Sequence, residues 1–472
     1  MSRPDLIGVK HLRAAVFCTA IAALLSAAEI APAPAARAQT PAVQPLSADD
    51  VSWLFPPPVR AEDFAKLISM SDLTAPDPTD PAKRDPIWPA AAFEQFLAIA
   101  ASPAGQVAGT GSSIGLPPEV QSMDAWKIAG IRIDPGAPGL SQDIRAQYGQ
   151  SPQIRLILQP VTKNADGSPN VHDIAGHLIF AFVTGSAPPA EPGCFPRPIP
   201  DLVAFKQIVA ELAALRTKLG NGGLGADKVS TAGLPLGVHP GLTDATTADN
   251  LRAEMIGFLE RHLSGQRLTA MAIMGLPANA PAPWIFLSML NVPPGAVPSL
   301  PAGGFIPVHG PTLDGSEFAQ MLNPVGTLPR VVPLPHTNNL SPITCSNAAA
   351  PVAGPSVADR RGATTATLFD ATPPTAATAK SVLDLIADPT RSHFFNTDCT
   401  SCHTETRRAM DLLNVQQFPG LDSAVLPNGP WNVRNFGWSP PIEGPIQATA
   451  TRRTAAETTA VVNFINAEML AQ

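Results

Sequence analysis

The chain has 472 residues, of which 45% are hydrophobic, 15% are charged and 54 are proline, and its formal net charge is −7 at pH 7. An acidic chain without a run of basic residues is a poor ligand for nucleic acid, because neutralising phosphates requires clustered Lys or Arg. The length exceeds what one hydrophobic core usually serves and the apolar content excludes a disordered chain, so we expect at least two folded domains with long proline-rich loops.

The first 38 residues have the layout of a secretory signal peptide. Arg3, Lys10 and Arg13 precede an apolar run over residues 14–28, and the small-residue sequence ARA follows at 36–38. The apolar run is shorter than the roughly 20 residues that a membrane-spanning helix needs. We therefore expect cleavage after residue 38, or earlier after the sequence SAA at 26–28, and export to the periplasm without a transmembrane anchor. An uncleaved anchor is the alternative.

Residues 45–345 are predicted to form an α+β domain with a mainly antiparallel sheet and long Pro-rich loops. Up to about residue 150 the chain is rich in turns, with one short helix near residues 89–101. Beyond this part, hydrophobic periodicity predicts strands at 154–161, 175–184, 268–276 and 284–292, and helices at 201–219 and 248–263. Strands followed by helices and then by further strands are typical of α+β folds.

An Ala-, Pro- and Thr-rich stretch over residues 346–379 is predicted to be a linker. The remaining segment, residues 380–472, is predicted to be mostly α-helical. One helix is expected at 381–387. The last helix is expected to begin with a capping box, in which Thr454 and Glu457 satisfy exposed backbone amides.

This last segment contains the pattern C-x-x-C-H, at Cys399, Cys402 and His403. Two thiols at helical positions i and i+3 lie on one face and can add to the two vinyl groups of one haem, and the adjacent imidazole can then reach the iron. A structural zinc site would need two more soft ligands, and the chain has no second C-x-x-C. A thioredoxin-like redox pair would need a strand before the helix. The pattern therefore favours covalent attachment of haem c, one per chain, after export.

With this motif, an amphipathic helix before it and a closing helix after it, residues 378–472 resemble a single-haem c-type cytochrome domain. The resemblance covers about a fifth of the chain, and the N-terminal two thirds resemble no family that we recognise. It implies that Cys399 and Cys402 bind the haem covalently, that His403 is the proximal iron ligand, and that the protein exchanges electrons with a redox protein partner. In such domains a downstream proline carbonyl usually orients the histidine, which makes Pro419 the candidate.

The sixth iron ligand departs from the pattern of that family, in which a methionine precedes the last helix. Met410 is the only methionine between His403 and that helix. If the first helix continues past His403, Met410 lies about 10 Å further along the same face, out of reach of the opposite side of the iron. Met410 is therefore predicted to be the distal ligand only if the chain bends sharply after Thr406. The alternatives are a ligand from outside, such as His393 or a histidine of the large domain, and an open iron.

Residues 428–438 fall where the distal wall of a haem pocket could lie. Trp431 and Trp438, together with Phe436, could shield the ring edge, and Arg434 could pair with a propionate. Alternatively, these aromatic side chains fill a small hydrophobic core.

Two cysteines, Cys194 and Cys345, remain outside the motif and the predicted signal peptide. A disulfide between them and two separate buried thiols are both open at this point. Three functions also stay open. Electron transfer is the leading hypothesis, and the alternatives are a haem oxidoreductase, using an open iron or the N-terminal domain as its active site, and a haem-based sensor or binding module.

Three other patterns fail on their context. The G-x-S-x-G at residues 111–115 lacks the preceding strand and following helix of a nucleophile elbow. The G-x-G-x-x-G at residues 220–225 follows a predicted helix, which makes it a helix stop and not a nucleotide-binding loop. His172 and His177 would face opposite sides of an extended chain, so we do not expect the two to form a metal site together.

Overall fold

The structure, a computed structural model, describes residues 44–470 apart from 78, 81, 102–113, 137–150, 189–196, 276–284, 293, 295–301, 309–319, 324–329, 334–375, 391–398, 430–431 and 442–443. The predicted signal peptide, residues 346–375 of the predicted linker, Cys194, Cys345 and the serine of G-x-S-x-G lie outside the described residues.

The helices of the described residues are α1 (Ala48–Val51), α2 (Ala90–Ala101), α3 (Leu202–Gly220), α4 (Pro240–Thr243), α5 (Ala248–His262), α6 (Ala376–Ala387), α7 (Cys399–Leu413) and α8 (Arg452–Phe464), and α8 continues into a π-helical turn over Ile465–Met469. Short 3₁₀ turns lie at Ala61–Lys66, Met70–Asp72, Pro118–Val120, Met123–Ala125, Gly265–Arg267 and Ser423–Val425.

The strands are β1 (Ser52–Leu54), β2 (Thr74–Pro76), β3 (Arg84–Pro86), β4 (Trp126–Asp134), β5 (Gln153–Lys163), β6 (Pro169–Val171), β7 (Ile174–Ala181), β8 (Val183–Ala187), β9 (Arg197–Pro200), β10 (Leu268–Gly275), β11 (Ile285–Val292), β12 (Gly304–Val308), β13 (Gln320–Asn323), β14 (Arg330–Pro333), β15 (Phe436–Ser439) and β16 (Gln447–Ala450).

The main sheet is antiparallel. Its strands follow the order β1-β4-β5-β7-β10-β11-β13-β14, with β6 paired to β5 and β12 paired to β11. The register places Arg132 of β4 opposite Arg155 of β5, and Ile157 of β5 opposite His177 of β7. The predicted α+β class with an antiparallel sheet is confirmed.

One face of the sheet carries a large apolar core. Leu156, Leu178 and Met271 are cross-strand neighbours on this face and are at most 1% exposed. Trp53 of β1 lies on the same face, and its ring centroid is 5.4 Å from that of Phe258 in α5. Because burying a side chain of this size contributes about 1.5–3 kcal/mol, this layer of strands and helices accounts for much of the stability of the fold.

The C-terminal helix α8 packs on the opposite face of the sheet. Ser52 of β1 lies 2.9 Å from Thr458 of α8, hydroxyl to hydroxyl. Arg132 of β4 forms an ion pair with Glu457 of α8, with 2.7 Å between Nη1 and Oε2. The sheet is therefore covered on both faces, and the segment that contains C-x-x-C-H contributes to the second layer.

Strand β15 crosses over the sheet at a position that requires glycine. A Cβ atom at Gly130 of β4 would lie 2.6 Å from the Phe436 ring. Gly437 has a φ of +143°, and a Cβ atom there would lie 3.3 Å from Ile157 of β5. These close approaches fix β15 directly against the centre of the sheet.

The C-terminal segment shares its core with the sheet. Buried apolar side chains from Leu46 to Ile465 form one cluster, and Val43–Gln472 is one compact unit by its contacts. The prediction of two separate domains is therefore not confirmed. No helix among the described residues is long and apolar enough to cross a membrane.

Three predicted strands and three predicted helices are confirmed within a few residues at their ends, namely the strands at 154–161, 268–276 and 284–292 and the helices at 89–101, 201–219 and 248–263. The helix predicted at 381–387 is present but begins at Ala376, so residues 376–379 of the predicted linker are helical. The single strand predicted at 175–184 is two strands, β7 and β8, and the turn-rich region before residue 150 contains β1 and β4. Gly222, with a φ of +76°, helps to end α3, as predicted for the G-x-G-x-x-G.

The predicted capping box at the start of the last helix is wrong. Helix α8 begins three residues earlier, and its N-cap is Thr451, whose side chain accepts a hydrogen bond from the Thr454 amide. Glu457 is used for ion pairs with Arg453 and Arg132.

Candidate functional site

The C-x-x-C-H motif opens helix α7. Cys399 is the first helical residue, and Cys402 and His403 follow within the next turn. The two cysteines are thus positions i and i+3 of a regular helix, which places them on one face. Cys402 is half-buried and packs against the hydrophobic core.

Buried ion pairs hold the start of α7 against its neighbours. Glu405, two residues after His403, is fully buried and accepts hydrogen bonds from Arg452 Nε at 2.6 Å and from the Arg453 amide at 3.2 Å. Arg452 also contacts Asp384 of α6, with 2.8 Å between Nη1 and Oδ1. Because charged hydrogen bonds in the interior are strong and directional, this network fixes the position of the motif relative to α6 and α8.

The ring of His403 is oriented by a backbone carbonyl. Its Nδ1 lies 2.8 Å from the carbonyl oxygen of Val433. Because a carbonyl only accepts, Nδ1 carries the proton and Nε2 carries the lone pair. The orienting carbonyl is that of Val433, so the prediction of Pro419 was wrong.

Burial keeps His403 neutral. It lowers the pKa of the imidazole to about 4, against a smaller opposing effect of the hydrogen bond to Val433, and the positive charge of Arg434 lowers the pKa further. A neutral imidazole with its second nitrogen hydrogen-bonded to a carbonyl is the form in which histidine binds a metal. In this tautomer, Nε2 is the nitrogen of His403 through which a metal could be bound.

The sheet presents basic side chains to the same region. Arg132 and Arg155 are cross-strand partners. His177, opposite Ile157, lies on the same face, two residues along from the Arg155 position. Burial lowers the pKa of His177 well below its usual value, and the positive charges of Arg155, Arg132 and Arg434 lower it further; His403 would add to this effect only when protonated. The sheet histidine and the motif histidine are therefore electrostatic neighbours.

Two guanidinium groups on this face keep unsatisfied donors. The Nε atoms of Arg132 and Arg155 are buried and have no hydrogen-bond partner within the described part of the chain. Arg132 is compensated by Glu457, whereas Arg155 makes no ion pair within hydrogen-bond distance among those residues. Burial and the charge of Arg132 lower the pKa of Arg155. Since buried unpaired donors cost free energy, this part of the face is suited to an anionic group.

Met410 is not placed to be a distal iron ligand. Helix α7 runs without interruption to Leu413, so Met410 lies seven residues beyond His403, about 10 Å along the helix axis. Its side chain is 8% exposed and belongs to the core. The chain does not bend after Thr406, and the prediction of Met410 as a ligand of the same iron was wrong.

Arg434 fastens the C-terminal segment to the sheet. It is 2% exposed, and its Nη2 lies 3.1 Å from Asp173 Oδ1. Its Nε lies 3.3 Å from Gln159 Oε1 and 3.1 Å from the carbonyl oxygen of Trp438. These contacts are with protein groups, so Arg155, and not Arg434, is the better candidate for an anionic ligand.

The predicted aromatic wall is partly a core. Trp438 is fully buried and donates from Nε1 to the carbonyl oxygen of Phe55 at 2.8 Å, and Phe436 packs over Gly130. For both residues the alternative interpretation holds, namely that the aromatic side chain fills the hydrophobic core. Trp431 and His393 lie outside the described residues.

His172 and His177 do not form a site together. The Nε2 atom of His172 lies 2.7 Å from the Thr162 hydroxyl. No group of three or more His, Cys, Asp or Glu side chains in the described ranges could hold a metal ion by itself.

No protein-family model, curated protein or solved structure matches this chain.

Proposed function

We propose that the protein is an exported c-type cytochrome, which binds one haem covalently and transfers single electrons to or from a redox protein partner. The observation that supports this proposal most is the state of His403. It lies next to Cys402 at the start of α7, donates its Nδ1 proton to Val433, and so retains the lone pair on Nε2 that an iron ligand needs.

The two cysteines would attach the haem. The thiol of each adds across one vinyl group, so that a sulfur–carbon bond forms and the thiol hydrogen moves to the second vinyl carbon, and no oxidant is consumed. Positions i and i+3 at the start of α7 allow both thiols to reach one edge of the same ring. The network of Glu405 with Arg452 keeps this turn in place.

The sheet face fits the rest of the group. Haem carries two propionates, and Arg155 offers a buried Nε donor without a partner among the described residues. The side chains of His177 and Ile179 on this face are only half-buried, so a bound haem could cover them. When bound, the haem supplies a one-electron iron couple. The chain would orient the haem ring and provide a partly desolvated environment for it.

The predicted signal peptide supports export, since covalent haem attachment follows export. The periplasm is therefore the proposed location, and a second redox protein is the proposed partner. A haem oxidoreductase or a gas sensor would require an iron that small ligands can reach, so rapid carbon monoxide binding by the reduced protein would favour one of these two functions over electron relay.

Mass spectrometry tests the attachment. The full chain, produced in a host with working cytochrome c maturation, should gain the mass of one haem, and the combined Cys399→Ala and Cys402→Ala variant should lose it. Ser401→Ala is the matched control, because this residue lies between the two cysteines and carries no attachment chemistry; it should retain the haem. A wild-type protein that stays colourless and unmodified in that host would refute the proposal.

A further inference from the structure

We propose that His177 is the second axial ligand of the haem iron, so that two histidines hold the iron between helix α7 and the sheet. The inference depends on the proposed function, because it requires a haem on Cys399 and Cys402.

His177 lies in the middle of the sheet, where β7 is flanked by β5 and β10. Its cross-strand neighbours are Ile157 and Ala272. The adjacent residues on β7, Gly176 and Leu178, point to the other face and are buried, whereas His177 is only half-buried. A half-buried side chain at the centre of a sheet indicates a space above this face.

The C-terminal segment bounds that space. Gly437 lies against Ile157, the cross-strand neighbour of His177. Three residues earlier, Arg434 reaches Gln159, which follows Ile157 on the same face of β5. The chain from Arg434 to Gly437 therefore runs over the strand next to His177.

His403 is attached to the same segment. The carbonyl that holds its ring belongs to Val433, the residue immediately before Arg434. Among the groups that interact electrostatically with His177 are Arg434 and, when protonated, His403, so both lie in its surroundings. One imidazole thus approaches from the sheet and the other from α7, as ligation of one iron from two sides requires.

Each ring offers a nitrogen atom to the iron. The Nδ1 of His403 donates to the carbonyl oxygen of Val433, which leaves the lone pair on Nε2. Among the described residues, the ring of His177 makes no hydrogen bond that would have to be broken. The other histidines of those ranges are engaged elsewhere: His172 with Thr162, His239 with the Gly241 amide, and His262 with Glu211.

Ligation by two histidines has a functional consequence. An iron with both axial positions filled by side chains passes electrons without binding a substrate. Replacing the usual methionine by histidine also lowers the reduction potential, since methionine ligation raises it. The inference therefore assigns this protein to closed, low-spin electron carriers and not to haem enzymes.

Spectroscopy of the haem-loaded full chain tests the inference. The ferric protein should be low-spin by optical and electron paramagnetic resonance spectra, and the ferrous protein should not bind carbon monoxide rapidly. His177→Gly should become high-spin and bind carbon monoxide, and added imidazole should restore the low-spin spectrum. His177→Met should stay low-spin with a more positive reduction potential, which shows that the fold is retained. His172→Ala, five residues away, is the control and should match the wild type.

Two results would overturn the inference alone: a high-spin wild type that carries covalent haem, or a haem-loaded His177→Gly protein that stays low-spin without imidazole. A chain whose mass shows no haem would overturn both this inference and the proposed function, so the two failures are distinguishable.

Discussion

Arg434 provides the sharpest test of how the C-terminal segment is attached to the sheet. In Arg434→Met the side-chain volume is roughly kept, but the ion pair with Asp173 and the hydrogen bonds to Gln159 and Trp438 are lost. Arg434 is 2% exposed and the Asp173 side chain is 15% exposed, so water compensates little. Removing one partner of a buried ion pair costs about 3–5 kcal/mol, and we expect the free energy of unfolding at pH 8 to fall by this amount.

The loss should depend on pH. Burial raises the pKa of Asp173 to about 6, although the charge of Arg434 opposes the rise. This folded-state pKa lies above the unfolded value of 3.8, so the folded protein binds the proton of Asp173 more tightly than the unfolded chain does. The resulting stabilisation is fully present below pH 4 and is lost as the pH rises through the folded-state pKa. Without Arg434 the folded-state pKa is higher still, so the variant should unfold more easily at pH 8 than at pH 5, relative to the wild type.

Urea unfolding followed by tryptophan fluorescence at pH 5 and pH 8 measures both effects. The double variant Arg434→Met with Asp173→Asn is the matched control, because it leaves no buried charge; it should be more stable at pH 8 than Arg434→Met alone. If Arg434→Met changes the unfolding free energy by less than about 1 kcal/mol, as exposed substitutions do, while the reduction potential of the haem shifts, then Arg434 serves the haem propionates and the reasoning above is refuted.

Two further substitutions test the fold around the site. Burial, with the charges of Asp50 and Asp422, raises the pKa of Asp49 from 3.8 to about 8. The free energy of unfolding should therefore fall between pH 4 and pH 8, by up to about 1.4 kcal/mol per pH unit. Asp49→Asn should flatten this slope in unfolding measurements, and an unchanged slope would contradict the assignment. Gly130→Ala places a methyl group 2.6 Å from the Phe436 ring of β15 and should lower the free energy of unfolding by about 1–3 kcal/mol. Gly185→Ala is the control and should change the unfolding midpoint little, because nothing lies within 4 Å of its Cβ position. Equal effects of the two substitutions would show that β15 does not pack tightly on the sheet.

The strands and helices after residue 150 could be predicted because their periodicity is strong. Helix α3 is long, has an Asp201 N-cap and buries Phe205, Val209 and Leu212 on one face. Strand β4 was missed, although its sequence WKIAGIRID contains alternating apolar positions. The alternation changes phase between Ile128 and Ile131, where the register with β5 shifts. Only the tertiary structure explains Gly130 and Arg132: the glycine admits the crossing strand, and the arginine forms an ion pair with Glu457 of α8.

The candidate site could be predicted only where chemistry is tied to a local pattern. Cys399, Cys402 and His403 are adjacent in sequence, and their spacing alone indicates their use. The carbonyl of Val433 has no sequence signal, because every residue carries one. The positions of Arg155 and His177 had a weak signal, a basic residue inside an otherwise apolar strand. Its meaning depends on the register of β4, β5 and β7, which a local pattern does not give.

The basic face of the sheet explains why a small haem segment would be built onto a large sheet. Arg155 and His177 are half-buried on this face, and their partial removal from water costs free energy and lowers the pKa of both side chains. An apolar replacement would be more stable unless something bound there offsets the cost. A haem can offset it twice, since a propionate accepts from the Arg155 guanidinium and the iron accepts the lone pair of His177. On this proposal the sheet is the second wall of the haem pocket, and the α7 segment alone would hold a haem open to solvent on its distal side.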